Sequence, residues 1–183
     1  MIDEKLIKFM KEVEGFHGDK GKDVEGDGIL TFGYGHKNYD KKDFSGYTQE
    51  MYDSLLVDDL NKAEGRARQQ FTNMFNESDE GLDYSTNYET YDTLSNDAKA
   101  ILIDFAYNVG NVRTYPKLSE AILNNDWDTI SKEYERPNLG QRNDILYESY
   151  IAPNMVNNKV FNAVQDSTAT PNLDIIQESI QNK

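Results

Sequence analysis

Residues 29–36 read Ile-Leu-Thr-Phe-Gly-Tyr-Gly-His, and this stretch decides how the N-terminal part of the chain folds. Its β-branched and aromatic residues predict a strand that the two glycines then interrupt. The charged, glycine-rich segment before it, 17–27, predicts a loop or a short hairpin. Farther upstream, residues 3–14 carry apolar side chains at helical spacing, with Asp3 as the N-cap and Gly15 as the end. The chain therefore begins with a helix, a loop and a strand that can fold back on one another.

Helical patterns dominate the remaining sequence. Thr48 is predicted to cap a long helix that extends to Phe71, and Ser95 to cap a strongly apolar helix over 97–109. The polar stretch 76–93 between them predicts a linker or a surface insertion. Shorter helices are expected at 118–125, 127–134 and 144–150, and the pattern allows a terminal helix at 171–181. We predict an α+β fold, mainly α, in which a long helix connects a small β-containing N-lobe to a helical C-lobe.

The length of 183 residues favours a single domain or a small two-lobed unit. We expect one domain over 1–153, with an N-lobe at about 13–60 and a helical C-lobe at about 61–153 that also receives helix 3–14. Residues 154–183 then form a C-terminal extension. The chain has no cysteine, so disulfides, thiolate metal sites and a cysteine nucleophile are excluded, and no metal or cofactor is predicted.

Charge and apolar content restrict the partners of the protein. A net charge of −14 repels nucleic acid, so binding through phosphate neutralisation is not expected. No stretch approaches the roughly 20 apolar residues that a membrane-spanning helix needs, and we predict no membrane insertion. Met1 leads directly into the amphipathic segment, which is not the pattern of a secretory signal.

Three residues of the N-terminal part suit glycoside cleavage. That reaction needs a carboxylic acid to protonate the leaving oxygen and a second group to manage water or the oxocarbenium-like charge. Glu14 ends the first helix, Asp23 lies in the loop and Thr31 lies on the strand. The setting of Glu14 is partly apolar, which suits the acid, whereas Asp23 lies among polar residues. We therefore predict that these three side chains meet at one wall of a cleft.

The motifs around these residues resemble those of a known family. Glu14-Gly15, Asp23 and the run at 31–36 are similar, in order, to the Glu-Gly, Asp and Thr-x-Gly-x-Gly-His signature of phage-type lysozymes, glycoside hydrolase family 24. The resemblance covers roughly residues 3–150. Downstream, Thr48 with 55–60 resembles the family's connecting helix, 105–110 its Phe-Ala-Phe-Asn-Val-Gly core helix, and 138–142 its arginine-bearing segment.

The resemblance implies a lysozyme-like two-lobed fold and a definite reaction. The implied activity is a peptidoglycan hydrolase that cleaves the β-1,4 bond between N-acetylmuramic acid and N-acetylglucosamine. Carried over to this sequence, the family pattern implies that Glu14 is the general acid. Asp23 and Thr31 would position and activate water for attack from the opposite face, with inversion at the anomeric carbon.

The resemblance also implies supporting residues and a cellular setting. His36 would pair with Asp59 and tie the strand to the long helix, and Arg142 would lie near the general acid. Tyr107 and Asn108 would line the sugar cleft, although the helical pattern alone fits Tyr107 to the core equally well. Bacterial peptidoglycan is the implied partner of a monomeric protein. The protein would wait in the host cytoplasm until its release to the wall, or belong to the phage particle.

The loop departs from the family pattern. Its Gly26-Asp27-Gly28 residues set Asp23 and Thr31 farther apart than usual, so Asp19, Glu25 or Asp27 could orient the water in place of Asp23. A cell-wall-binding or structural virion module that keeps the fold without turnover is the alternative function.

Residues 23–30 also resemble the start of a calcium-binding loop. Tyr34 stands where the twelfth position of such a loop should supply a carboxylate, and a strand follows where a helix is expected. A weakly bound ion in this loop stays open, and so does a third function, a calcium-stabilised adhesion module.

Overall fold

The computed structural model describes residues 2–18, 21–23, 26, 28–76 and 89–157. The predicted helix at 171–181 and the loop carboxylates Asp19, Glu25 and Asp27 lie outside the described residues. The architecture is mainly helical with one small sheet, which confirms the predicted α+β class. The elements are α1 (Glu4–Glu14), β1 (Lys22–Asp23), β2 (Leu30–Phe32), β3 (His36–Lys37), α2 (Gln49–Asn76), α3 (Glu89–Asp92), α4 (Asn96–Asn108), α5 (Pro116–Leu123), α6 (Trp127–Glu133) and α7 (Gly140–Leu146), with a 3-10 turn at Val112–Thr114 and a π-helical turn at Tyr147–Ile151.

Helix α1 forms as its apolar spacing and its cap predict. The side chain of Asp3 accepts a hydrogen bond of 2.7 Å from the backbone N–H of Leu6, which satisfies one of the free donors of the first turn. Gly15 ends the helix in the left-handed region, with φ +66°. The buried face is inserted into the helical core and packs against α7. Because α1 stops at this glycine, the carboxylate of Glu14 lies at the edge of the core.

The three strands form an antiparallel sheet in the order β1-β2-β3. Thr31 is paired with Lys22 on one side and with Lys37 on the other. The strand predicted at 29–34 is shorter in the structure, because the chain turns away at Gly33 (φ +55°) and Gly35 (φ +94°). An alanine at Gly33 would also place its Cβ 2.7 Å from the ring of Tyr52.

Helices α2 and α4 form the centre of the molecule. Helix α2 is longer than predicted and runs five residues beyond Phe71 to Asn76. Helix α4 begins after Ser95, whose side chain accepts from the backbone N–H of Ala98 at 3.2 Å. Its residues 100–106 are all buried, and α2 packs along it. The core that these two helices share also takes in α1 and the C-terminal helices, so it orients the helices that border the cleft, while Phe32 of β2 packs in a second, smaller cluster with Phe44 and Tyr52.

The end of the stretch predicted as a linker is part of the packed structure. Residues 89–92 form α3, and Tyr91 is fully buried with its ring 6.4 Å from that of Phe71. The guanidinium of Arg68 lies 5.5 Å from the centre of the Tyr91 ring and also pairs with Asp92. The prediction of a linker was therefore wrong for these residues, because one aromatic anchor within a polar segment is enough to hold it to α2.

The C-terminal helices differ from their predicted bounds. Pro116 begins α5 two residues before the predicted start, which suits a residue whose missing N–H costs nothing in the first turn. Helix α7 begins at Gly140 rather than at the predicted 144. Helical residues continue through Pro153 to Asn157, where the Asn154 amide donates to Asp97 Oδ2 at 2.7 Å. Among the described helices, none is long and apolar enough to cross a membrane.

Candidate active site

A cleft of about 720 Å³ opens between the sheet and the two central helices. The C-terminal end of α1, strands β2 and β3, and the facing turns of α2 and α4 all contribute to its walls. Six of the side chains predicted to act in or near a site line it directly, and a seventh, Arg142, contacts one of them, Glu14. The lining residues are Glu14, His17, Thr31, Gly35, His36, Lys37, Tyr39, Asp59, Lys62, Arg66, Ala106, Tyr107, Asn108, Val109 and Gly110.

Glu14 is held at the cleft by an arginine from the far end of the chain. Arg142 Nη1 donates to Glu14 Oε1 at 2.6 Å, and the side chain of Glu14 is 17% exposed. The Arg142 side chain is buried and donates from Nε and Nη2 to Asp104 Oδ1, at 2.9 Å and 2.5 Å. Arg142 thus contacts two carboxylates at once, and its guanidinium plane is fixed by Asp104 rather than by Glu14. One oxygen of Glu14 is occupied by Arg142, while the residue itself borders the open cleft.

Asp104 joins a second arginine to this group. Arg136 Nη2 lies 2.6 Å from Asp104 Oδ2, and its guanidinium lies 4.2 Å from the centre of the Phe105 ring. Two carboxylates and two guanidinium groups therefore balance in charge in a buried cluster, which is the condition under which buried ions are tolerated. Burial lowers the pKa of Arg142, but Asp104 and Glu14 outweigh this effect and raise it. Burial lowers the pKa of Arg136, and the charge of Asp104 only partly offsets the effect.

Asp104 and Arg136 were not among the predicted site residues. Asp104 lies in the middle of the apolar run of α4, between Ile103 and Phe105, and it was included in the predicted core helix. Its position inside an apolar helical run was the sequence signal that could have identified it. Such a position predicts burial, and a buried carboxylate is almost always paired. No local signal marks Arg136, whose partner is 32 residues away in sequence.

Gly35 brings the backbone close to Glu14. A Cβ at this position would lie 3.1 Å from Glu14 Oε2 and 3.2 Å from the hydroxyl of Tyr107. The Tyr107 hydroxyl donates to the carbonyl of Tyr34 at 2.8 Å, so it fastens α4 to the turn before Gly35. Burial, together with the negative charge of Glu14, raises the pKa of Tyr107 and keeps this hydroxyl protonated as a donor. The general acid predicted from sequence thus lies between Arg142 on one side and the backbone of Gly35 on the other, and it borders the cleft.

Thr31 borders the same cleft as Glu14, as the sequence predicted, and is 5% exposed. Asp23 pairs through its backbone with Leu30, the residue before Thr31, so the end of β1 is adjacent to this part of the cleft. The side chain of Asp23 lies outside the described residues, like those of Asp19, Glu25 and Asp27. Their roles therefore stay predictions.

His36 and Asp59 are in contact, as the family pattern implies. Their Nδ1 and Oδ2 atoms lie 2.6 Å apart, which ties β3 to α2, and Lys62 approaches the other carboxylate oxygen at 3.0 Å. Burial by itself raises the pKa of Asp59, but hydrogen bonds from His36 and Lys62 outweigh this effect and lower it. Asp59 is therefore a fully engaged carboxylate, and its geometry is that of a structural group.

The opposite wall of the cleft comes from the end of α4. Tyr107 and Asn108 both border it, so Tyr107 faces the cleft as well as packing against the core. Arg66 approaches from α2 and donates to the carbonyl of Ala106 at 3.2 Å. Within the described parts of the chain, no cluster of three or more His, Cys, Asp or Glu side chains could hold a metal ion. The geometry offers a carboxylic acid, a hydroxyl and an amide around an open groove, a set that suits acid-assisted cleavage of a sugar bond.

Comparisons with known proteins agree with this geometry. The model of the Phage lysozyme family matches residues 11–146. Among solved structures, the chain is similar to the muramidase domain of SpmX from Asticaccaulis excentricus, with a TM-score of 0.58 and 15% sequence identity. That match covers 84% of this chain and 99% of the other, and it supports the lysozyme-like fold. A search of curated protein sequences found no significant match.

Proposed function

The chain belongs to the phage lysozyme family, and we propose that it hydrolyses the β-1,4 bond between N-acetylmuramic acid and N-acetylglucosamine in bacterial peptidoglycan. The observation that carries the proposal is the position of Glu14, whose carboxylate is fixed by Arg142 at the border of an open cleft. Family membership makes peptidoglycan the expected substrate class. The particular bond, the mechanism and the stereochemistry are parts of the proposal.

In the proposed mechanism, Glu14 gives its proton to the glycosidic oxygen as the bond to the sugar breaks. Arg142 holds the carboxyl group in place and stabilises the negative charge that remains after proton transfer. Because Asp104 anchors the guanidinium independently, Arg142 does not have to move when the proton leaves Glu14. Tyr107 and Asn108 would then orient the sugar rings along the α4 wall.

Water would attack the anomeric carbon from the face opposite Glu14. Thr31 lies on the sheet side of the cleft, and its hydroxyl would position the water. Asp23 is our choice for the base that takes the proton of the water. A single displacement of this kind inverts the anomeric configuration. NMR of the freshly released reducing end would test this, because an inverting enzyme produces the α anomer first.

The decisive experiment is clearance of purified peptidoglycan by the wild type and by Glu14→Gln. Glutamine keeps the shape of the side chain but cannot supply the proton, so we expect a loss of roughly 100-fold or more. Glu12→Gln, on the exposed face of the same helix, is the matched control and should retain activity. Equal clearance by Glu14→Gln and the wild type would reject the assignment.

The same experiment separates the enzyme from a binding module. If neither the wild type nor Glu14→Gln clears the walls but both pellet with them, the protein is a wall-binding or structural virion module. We further propose that the protein is a monomer that remains in the host cytoplasm until released to the wall, or that travels with the phage particle. Fractionation of infected cells and of purified particles would distinguish these two locations.

A further inference from the structure

A second hollow, of about 600 Å³, adjoins the cleft on the N-terminal lobe. The two cavities have Tyr39 as a common wall, and that side chain is 67% exposed. We call this second cavity the lysine hollow. It is lined by Gly28, Ile29, Leu30, Phe32, Asn38, Tyr39, Lys41, Lys42, Asp43, Phe44 and Ser45. Glu14 and Thr31, the described side chains that we assign to catalysis, do not contribute to it.

The loop that bears the two lysines is preformed. The side chain of Asn38 accepts from the backbone N–H of Lys42 and donates to its carbonyl, both at 2.8 Å. These two hydrogen bonds close a tight turn in which Lys41 takes the left-handed conformation, with φ +56°. A residue that is not glycine is costly there, and the surrounding hydrogen bonds hold it in place. The two ammonium groups are therefore displayed on an ordered turn.

The hollow combines a cationic rim with an apolar floor. Leu30, an apolar side chain that is 41% exposed, belongs to the floor together with the packed ring pair of Phe32 and Phe44. Lys42 Nζ lies 5.3 Å from the centre of the Tyr47 ring, and its interaction with the Tyr47 hydroxyl raises the pKa of this lysine. An apolar surface bordered by positive charge suits a ligand that carries both methyl groups and carboxylates.

The acidic residue in the hollow does not cancel this character. Both carboxylate oxygens of Asp43 accept hydrogen bonds from Ser45, one from the backbone N–H and one from the hydroxyl, each at 2.8 Å. These bonds lower the pKa of Asp43, so it stays ionised, and this one carboxylate offsets only one of the two lysines that line the hollow. Among the described residues, the walls of the cleft and the hollow carry five Lys or Arg side chains against three Asp or Glu, in a chain whose net charge is −14. These described walls are therefore more positive than the chain as a whole, which favours an anionic ligand.

We propose that the lysine hollow binds the peptide stem of the peptidoglycan strand, with Lys41 and Lys42 at its carboxylates and Leu30 at its methyl groups. The inference rests on the proposed function. Stem peptides are attached to muramic acid, one of the two sugars at the bond to be cleaved, so a peptide-binding site must adjoin the glycan cleft. The lysine hollow does adjoin the cleft, because Tyr39 lines both cavities.

The test compares glycan strands that bear stem peptides with the same strands after an amidase has removed the peptides. Because each exposed charge pair contributes modestly, we expect Lys41→Gln/Lys42→Gln to lower the ratio of kcat/KM on the two substrates roughly fivefold, through KM. The control is Lys8→Gln/Lys117→Gln, which removes the same charge from positions that line neither cavity. Its ratio should equal that of the wild type. Equal losses in both double variants, or an unchanged ratio in the first, would overturn the proposal.

A binding measurement separates this proposal from the proposed function. The peptides released by the amidase are titrated into the wild type and both double variants, with NMR shifts of the Leu30 methyl groups as the readout. Weaker binding to Lys41→Gln/Lys42→Gln than to the control supports the hollow even if the wild type cleaves no glycan. Absence of peptide binding by the wild type refutes it even if the wild type is an active hydrolase. A preference of the hollow for phosphate-containing wall polymers over the peptides would refute it as well.

Discussion

Asp104 Oδ1 accepts hydrogen bonds from both Nε and Nη2 of Arg142, although the two residues are 38 positions apart. This contact fixes the guanidinium that reaches Glu14, so the geometry of the proposed general acid depends on a carboxylate that is fully buried. The other oxygen of Asp104 pairs with Arg136, which makes Asp104 the centre of the cluster. Four charged groups from α1, α4, α7 and the segment before α7 meet at this point.

Replacing Asp104 with Asn should destabilise the fold by about 3 kcal/mol, because two buried guanidinium groups would lose their shared counter-charge. Urea unfolding at neutral pH measures the difference. Asp128→Asn, at an exposed position of α6, is the matched control and should cost less than about 1 kcal/mol. A cost for Asp104→Asn no larger than that of the control would mean that the cluster is not a unit.

Some contacts of this region could be predicted from the sequence, and the contacts of the cluster could not. The caps at Asp3 and Ser95 are local signals, and the structure confirms both. The pairing of Asp104 with Arg136 and Arg142 arises only when α7 and the segment before it come together with α4 in the fold, so no spacing rule reveals it. The same applies to the anchoring of Tyr91, which depends on a surface that α2 provides.

The residues that line the cleft were more predictable than the buried cluster that supports Glu14. Glu14, Thr31 and Asn108 were expected at a cleft from motifs, and all three line the same one. Their motifs are short and continuous, with the backbone turns built into the sequence itself. The lysine hollow was not predicted. Its turn is held by two hydrogen bonds between the Asn38 side chain and the Lys42 backbone, and both residues look like ordinary loop residues in the sequence.

Gly35→Ala should impair turnover far more than stability. The new Cβ would lie 3.1 Å from Glu14 Oε2, so the carboxyl group has to shift, and displacement of a catalytic group can cost roughly 100-fold in rate. The positive φ adds a backbone cost of about 1–2 kcal/mol. Gly46→Ala has the same kind of backbone cost, with φ +85° and no neighbour within 4 Å, and it should stay active. Similar activity of the two variants in peptidoglycan clearance would show that the approach to Glu14 is unimportant.

The pair of His36 and Asp59 should make stability depend on pH in acid. The pKa of Asp59 is lowered in the folded state, so its contribution is present above the unfolded value and is lost as the pH falls below about 4. Asp59→Asn should therefore be less stable than the wild type by about 1–2 kcal/mol at pH 7, with the gap closing as the pH falls below about 4. Urea unfolding across that range tests this. Asp58→Asn, one residue away and exposed, should show no such closing gap.

The identity of the residue that orients water can be decided by changing each loop carboxylate singly. The end of β1 is paired beside Thr31, which bears the hydroxyl at the cleft, and this favours Asp23 over Asp19, Glu25 and Asp27. Asp23→Asn should lower kcat by two orders of magnitude or more, as expected when a general base is lost, and the other three variants should remain within about threefold of the wild type. A large loss in one of those three, with Asp23→Asn still active, would transfer the role to that residue. Comparable partial losses in all four variants would instead indicate that the loop acts through its summed charge. The activity of the wild type would then depend strongly on ionic strength, which a single base does not require, and assays at low and high salt would show it.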